Sequence, residues 1–168
     1  MTSSPSPAVP TSAAPSADPA PGPPTGLVIV DHGSRRAASN AMHEEFVAGF
    51  AEAVGGAYVA VAAAHMELAE PTVADAVDRV VAAGAHRVLV MPYFLFPGKH
   101  WERDIPALVD AAAARHPGVA MLVTAPVGLH PLMQEVVRGR LAQCTEHADG
   151  GPACDLCAGT DRCVWATD

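Results

Sequence analysis

The chain has 168 residues, half of them hydrophobic, and a net charge of −8. That length suits one domain with a real core. That net charge argues against the basic face that a nucleic-acid footprint needs, and with only ten Lys and Arg the places where they fall matter. No apolar run approaches the ~20 residues of a membrane helix.

Residues 1–25 hold eight of the sixteen prolines and are otherwise mostly Ser, Thr, Ala and Gly. Such a segment buries too little apolar surface to offset its ordering entropy, so residues 1–25 are expected to be a disordered tail. It has neither a basic n-region nor an apolar h-region. The expected compartment is therefore the cytoplasm; the hydroxyl-rich, acid-poor composition makes a plastid the alternative. Residues 26–143 form the expected folded domain, and residues 144–168, with Cys144, Cys154, Cys157 and Cys163, a Cys-rich tail.

From residue 26 the pattern alternates strand, loop and helix four times. Leu27-Val28-Ile29-Val30 is a continuous apolar run of the kind buried on both faces of a parallel sheet. A helix follows, with Met42, Phe46, Val47, Phe50 and Val54 expected on one face. The second strand is expected near Tyr58–Ala63, and the second helix carries Val73, Val77, Val80 and Val81, with Gly84 stopping it. His86–Met91 reads as the third strand, and Ile105, Leu108 and Val109 mark the third helix. Val119–Thr124 is the fourth strand, and Leu132, Met133, Val136, Val137 and Leu141 mark the last helix. Units of this length imply an α/β fold, a three-layer doubly wound parallel sheet of four strands with right-handed crossovers. The expected order is flavodoxin-like, 2-1-3-4.

That order carries a functional expectation. Open α/β sheets bind ligands beyond the carboxyl ends of their strands, where the strand order reverses. Here the reversal lies between strands one and three. The loop after strand one contains Asp31-His32-Gly33-Ser34-Arg35-Arg36, and the loop after strand three contains Gly98-Lys99-His100. His32 and His100 therefore face one crevice. Imidazoles bind Fe²⁺, Co²⁺ and Ni²⁺ and accept protons near neutral pH, so the pair is a candidate metal and catalytic site. Glu67, after strand two, is the candidate carboxylate, and His65 on the same rim is a candidate third nitrogen. An ordinary strand-to-helix connection, with Pro71 at the first helical position, accounts for that stretch equally well.

Arg35, Arg36, Lys99 and Arg103 all lie within four residues of His32 or His100. A locally cationic cleft on an acidic protein suits a polyanionic small substrate, and Ser34 could bind a further carboxylate. Tyr93, Phe94, Phe96 and Trp101 surround the same loop and would wall a flat ligand, although some belong to the core. His43, His86 and His116 read as structural or solvated, and His130 as a capping residue. The four cysteines form a C-x9-C-x2-C-x5-C pattern, which fits an iron–sulfur cluster, zinc or a redox disulfide.

With these loops in hand, residues 26–163 resemble the CbiX/SirB family of class II chelatases. Val-Asp-His-Gly-Ser-Arg-Arg (30–36), Ala-His-Met-Glu-Leu-Ala-Glu-Pro (64–71) and Pro-Tyr-Phe-Leu-Phe-Pro-Gly-Lys-His-Trp (92–101) carry the likeness. Asp104-Ile105-Pro106 and Thr124-Ala125-Pro126-Val127-Gly128 continue it. The wording is most similar to short plant-type members. The resemblance implies insertion of Fe²⁺ into sirohydrochlorin, with Fe²⁺ (or Co²⁺) as substrate metal held at His32 and His100. It also implies a [2Fe–2S] cluster on Cys144, Cys154, Cys157 and Cys163. The chain holds only one half of the longer members, which implies a homodimer. Lys99 stands where Arg is common, keeping the charge but losing bidentate carboxylate binding. A cobaltochelatase and a non-catalytic metal or tetrapyrrole carrier are the competing expectations.

Overall fold

The structure, a computed structural model, describes residues 22–166. It contains β1 (Thr25–Asp31), α1 (Ala37–Val54), β2 (Ala60–His65), α2 (Val73–Ala82), β3 (Arg87–Pro92), a π-helical turn (His100–Asp104), α3 (Ile105–Ala113), β4 (Ala120–Val123) and α4 (Leu132–Ala148). The four strands form one parallel sheet in the order β2-β1-β3-β4, as the alternating pattern predicts.

Two compact units are present: residues 22–93 with 97–126, and residues 94–96 with 127–166. The whole sheet lies in the first. The second contains α4 and the cysteines.

Within the first unit, alternation along β1 sorts the core into two layers. Leu27 and Ile29 pack with Val47 of α1 and Ala63 of β2. Val28 and Val30 point the other way and are fully buried, as are Val77 and Val80 of α2 and Ile105 of α3. Gly26 lies on that second side, where a Cβ would meet Val80 Cβ at 2.8 Å, so only glycine lets α2 approach so closely. Thr72 caps α2 through a reciprocal capping box with Asp75.

Three expectations shift. The buried face of α1 is His43 and Val47, whereas Met42 and Phe46 are 52% and 43% exposed. His43 turns inward because its Nε2 pairs with the Ile29 carbonyl at 3.1 Å. At the N-terminal boundary, Thr25 already belongs to β1, and the Pro24 carbonyl accepts the amides of His86 and Arg87. The rest of the expected tail, residues 1–21, lies outside the described residues. Finally, none of the residues of α4 is buried, and Leu132, Val136, Val137 and Leu141 are all exposed.

α1 leaves part of its side of the sheet open. Leu89 and Met91 of β3, with Leu27, Phe46, Phe50 and Tyr93, line an apolar cleft of about 220 Å³. Leu122, beside Leu89 in register, is 58% exposed. Among the described residues, no helix is long and apolar enough to cross a membrane.

Candidate active site

The site is built at the carboxyl ends of β1, β2 and β3, where the sheet order reverses. Parallel pairing sets Asp31, the last residue of β1, in register with His65, the last of β2. Beyond that pair the two loops stay stitched together. The Met66 amide donates to the Asp31 carbonyl at 2.9 Å, and the Glu67 amide to the His32 carbonyl at 3.1 Å. Gly33 is essential to this approach. Its φ is +82°, and a Cβ there would sit 1.9 Å from the Glu67 carbonyl oxygen.

The stitched loops bring His32 Nε2 to 3.1 Å from Glu67 Oε1, with both side chains about half exposed. The His100 ring stands 5.1 Å from the His32 ring, centroid to centroid, edge-on at 71°. His32, His100 and Glu67 thus converge from the three connections that follow β1, β3 and β2.

Hydrogen bonds assign the protons on both rings. His32 Nδ1 lies 3.1 Å from the Gly33 carbonyl, which can only accept, so Nδ1 carries the hydrogen. His100 Nδ1 lies 2.9 Å from Asp104 Oδ2, one turn along the π-helical segment. Arg103 donates to Asp104 at 3.0 Å, and together with the His100 bond it holds that carboxyl below the usual range, ionised and accepting. With Nδ1 engaged in this way, the Nε2 of His32 is the ring nitrogen turned toward Glu67. This is the second-nitrogen arrangement typical of metal-binding histidines. His32 Nε2 and Glu67 Oε1 face each other at 3.1 Å. That separation suits a shared proton or a shared cation.

The expected anion-binding residues divide. Arg35, Arg36 and Lys99 are exposed, whereas Arg103 is committed to Asp104 through its Nε. Ser34 is engaged inside its own loop: its Oγ accepts the Arg36 amide, and Asn40 clamps its backbone from both sides. Trp101 donates its indole N–H to the Thr124 carbonyl, and Tyr93 packs on Phe46 at 4.7 Å, which ties both rings to the fold.

His65 does not stand on the rim. It is fully buried, with Nδ1 on Asp31 Oδ1 at 2.6 Å, because the β1–β2 register turns its side chain inward against that carboxylate. Asp31, Asp104 and Asn40 were missed as site residues by sequence reasoning. A carboxylate beside one histidine and four residues after the other was the available signal.

In the second unit, Cys144, Cys154 and Cys157 place their sulfurs within 4.8 Å of one another. Cys163 Sγ lies 3.0 Å from Cys157 Sγ. Hydrogen bonds from the Cys157 thiol and the Leu156 amide bring the Cys154 thiol down to about 7. Its neighbours Cys163 and Cys154 push Cys157 up to about 12.

A CbiX family model matches residues 26–144. The chain belongs to the CbiX family. It is 51% identical to the chloroplastic sirohydrochlorin ferrochelatase of Arabidopsis thaliana over 139 residues, covering 82% of this chain and 61% of that protein. The chain thus spans about six-tenths of that CbiX relative's length. Among solved structures, it superposes on a cobalamin (vitamin B12) biosynthesis CbiX protein from Marinobacter aquaeolei VT8 with a TM-score of 0.63 and 29% identity, covering 74% of this chain and 99% of that one. It also superposes on the sirohydrochlorin chelatase SirB of Bacillus subtilis subspecies spizizenii, in complex with cobalt, with a TM-score of 0.67 and 25% identity. That match covers 73% of this chain but 51% of SirB. The CbiX fold here is thus one set of four βα units, comparable to a whole short relative and to half of a long one.

Proposed function

We propose that the chain is a sirohydrochlorin ferrochelatase, inserting Fe²⁺ into sirohydrochlorin. The observation that carries this reading is the approach of His32 Nε2 to Glu67 Oε1 at 3.1 Å, with the His100 ring beside them. Metal insertion breaks two pyrrole N–H bonds, forms bonds from the metal to the ring nitrogens, and releases two protons. A site for it must hold a partly desolvated divalent ion and then receive those protons. Imidazole and carboxylate donors that bind the ion do both, because each becomes a base when the ion moves to the macrocycle. The exposed Arg35, Arg36 and Lys99 give the carboxylate-rich macrocycle its counter-charges.

The test mixes purified protein anaerobically with sirohydrochlorin and Fe²⁺ and follows the absorbance of the chelate. Turnover in the wild type and its loss in the His32→Ala, His100→Ala double variant is the expected result. A carrier would bind both components without accelerating insertion, and that outcome overturns the reading. Co²⁺ is run in parallel, since the same donors accept it and the Bacillus relative holds it.

A homodimer is the proposed working form, supported by the half-length match to the Bacillus chain. Sedimentation at twice the 17.2 kDa chain mass is expected. The convergence of the cysteine thiols supports a [2Fe–2S] cluster held by Cys144, Cys154, Cys157 and Cys163. When bound, the cluster would supply one-electron chemistry to a protein whose insertion reaction is itself redox-neutral. Equal amounts of iron and acid-labile sulfide after anaerobic purification support it, and stoichiometric zinc without sulfide overturns it.

A further inference from the structure

His65 is the most deeply buried polar side chain near the site, and the insertion chemistry makes no direct use of it. It is fully enclosed, yet among the described residues its Nε2 has no hydrogen-bond partner, and Glu44 Oε1 stands 3.7 Å away. Burying an imidazole with one nitrogen unsatisfied costs stability, and an apolar residue of similar size would avoid that cost. The nitrogen that is satisfied explains the choice. His65 Nδ1 donates to Asp31 Oδ1 at 2.6 Å, and the same oxygen accepts the Gly33 amide at 2.9 Å. The Gly33 carbonyl in turn accepts from His32 Nδ1.

We propose that His65 is a positioning residue for His32. Its Nδ1–H aims the Asp31 carboxylate, Asp31 pins the Gly33 amide, and the Gly33 carbonyl then fixes the tautomer and direction of the His32 ring. The chain runs from the core to the metal-facing nitrogen through three hydrogen bonds. It rests on the functional reading above, in that His32 Nε2 is the atom that meets the metal.

The test compares His65→Asn with His65→Gln in the full chain. Asparagine carries its amide nitrogen where His65 Nδ1 sits; glutamine carries it one bond further out. Both are polar and neutral, and the extra methylene of glutamine moves the donor. Co²⁺ alone is titrated into each protein under reducing conditions, with His32→Ala defining the His32-dependent part of the binding. His65→Asn should bind within about threefold of wild type, whereas His65→Gln should bind about 10–100-fold more weakly, the range seen when a ligand's outer partner is lost. Turnover with Co²⁺ and sirohydrochlorin should fall by the same factor in His65→Gln, with KM for sirohydrochlorin within about twofold of wild type. A purely structural role would lower both melting temperatures and leave the Co²⁺ affinity of the two folded variants equal. Equal affinities overturn the inference alone. A wild-type chain without His32-dependent Co²⁺ binding overturns the functional reading and this inference with it.

Discussion

Gly33→Ala separates the demands of backbone and site at a single position. The residue has φ +82°, and a Cβ there would lie 1.9 Å from the Glu67 carbonyl oxygen, against the 3.0 Å that real Cβ contacts respect. Left-handed backbone costs a non-glycine residue roughly 1–2 kcal/mol, and the Glu67 backbone would have to retreat by about 1 Å. Glu67 carries the oxygen that faces His32 Nε2 at 3.1 Å, so the retreat moves one half of that pair. A displacement of that size in a positioned group costs about 100-fold in rate, or about 2.7 kcal/mol in the activation barrier. The control is Gly84→Ala, since Gly84 has φ +100° and nothing within 4 Å of the added Cβ. Chelate formation is followed by absorbance, and stability by urea unfolding. Both variants should lose about 1–2 kcal/mol of stability from the backbone alone, while only Gly33→Ala loses turnover. Wild-type turnover in folded Gly33→Ala would refute the claim that the Gly33–Glu67 contact sets the site.

Two further outcomes test the scaffold. Ile105 is fully buried directly after the His100–Asp104 turn; Ile105→Ala should lower the unfolding free energy by about 2–5 kcal/mol in urea titration. Asp78 accepts from His116 and from Arg115, both at 2.6 Å, and the His116 bond above all holds its carboxyl below the usual range. A depressed folded pKa contributes stability above the unfolded value, near 4, that is lost as pH falls through the folded one. The melting-temperature gap between wild type and Asp78→Asn should therefore be full at pH 6 and close below about pH 4. A gap unchanged at low pH would contradict this.

Much of the fold was legible because it depends on period and punctuation. The four apolar runs and the helical patterns between them locate the elements to within a few residues, and their alternation yields the β2-β1-β3-β4 order. The order alone makes the loops after β1 and β3 neighbours, which is why His32 and His100 could be paired before any contact was known. Where periodicity is ambiguous the reading slipped. On α1 the aromatic Phe46 outweighed His43 as a core residue, yet the helix turns His43 inward because its ring finds the Ile29 carbonyl.

Sequence alone determined that a parallel α/β sheet would bring two histidines, a carboxylate candidate and a group of cations to one edge. Tertiary structure alone decided what each does there. The β1–β2 register sets Asp31 against His65, and that single cross-strand relation removes His65 from the rim and buries it as a hydrogen-bond donor. The closeness of Gly33 to Glu67 selects the carboxylate that meets His32. The carbonyl of Gly33 and the carboxylate of Asp104 hold Nδ1 of the His32 and His100 rings. The physical reason is that residue type and spacing encode the local period, whereas a side chain's partner depends on register and loop approach. Both are set only when distant strands pair.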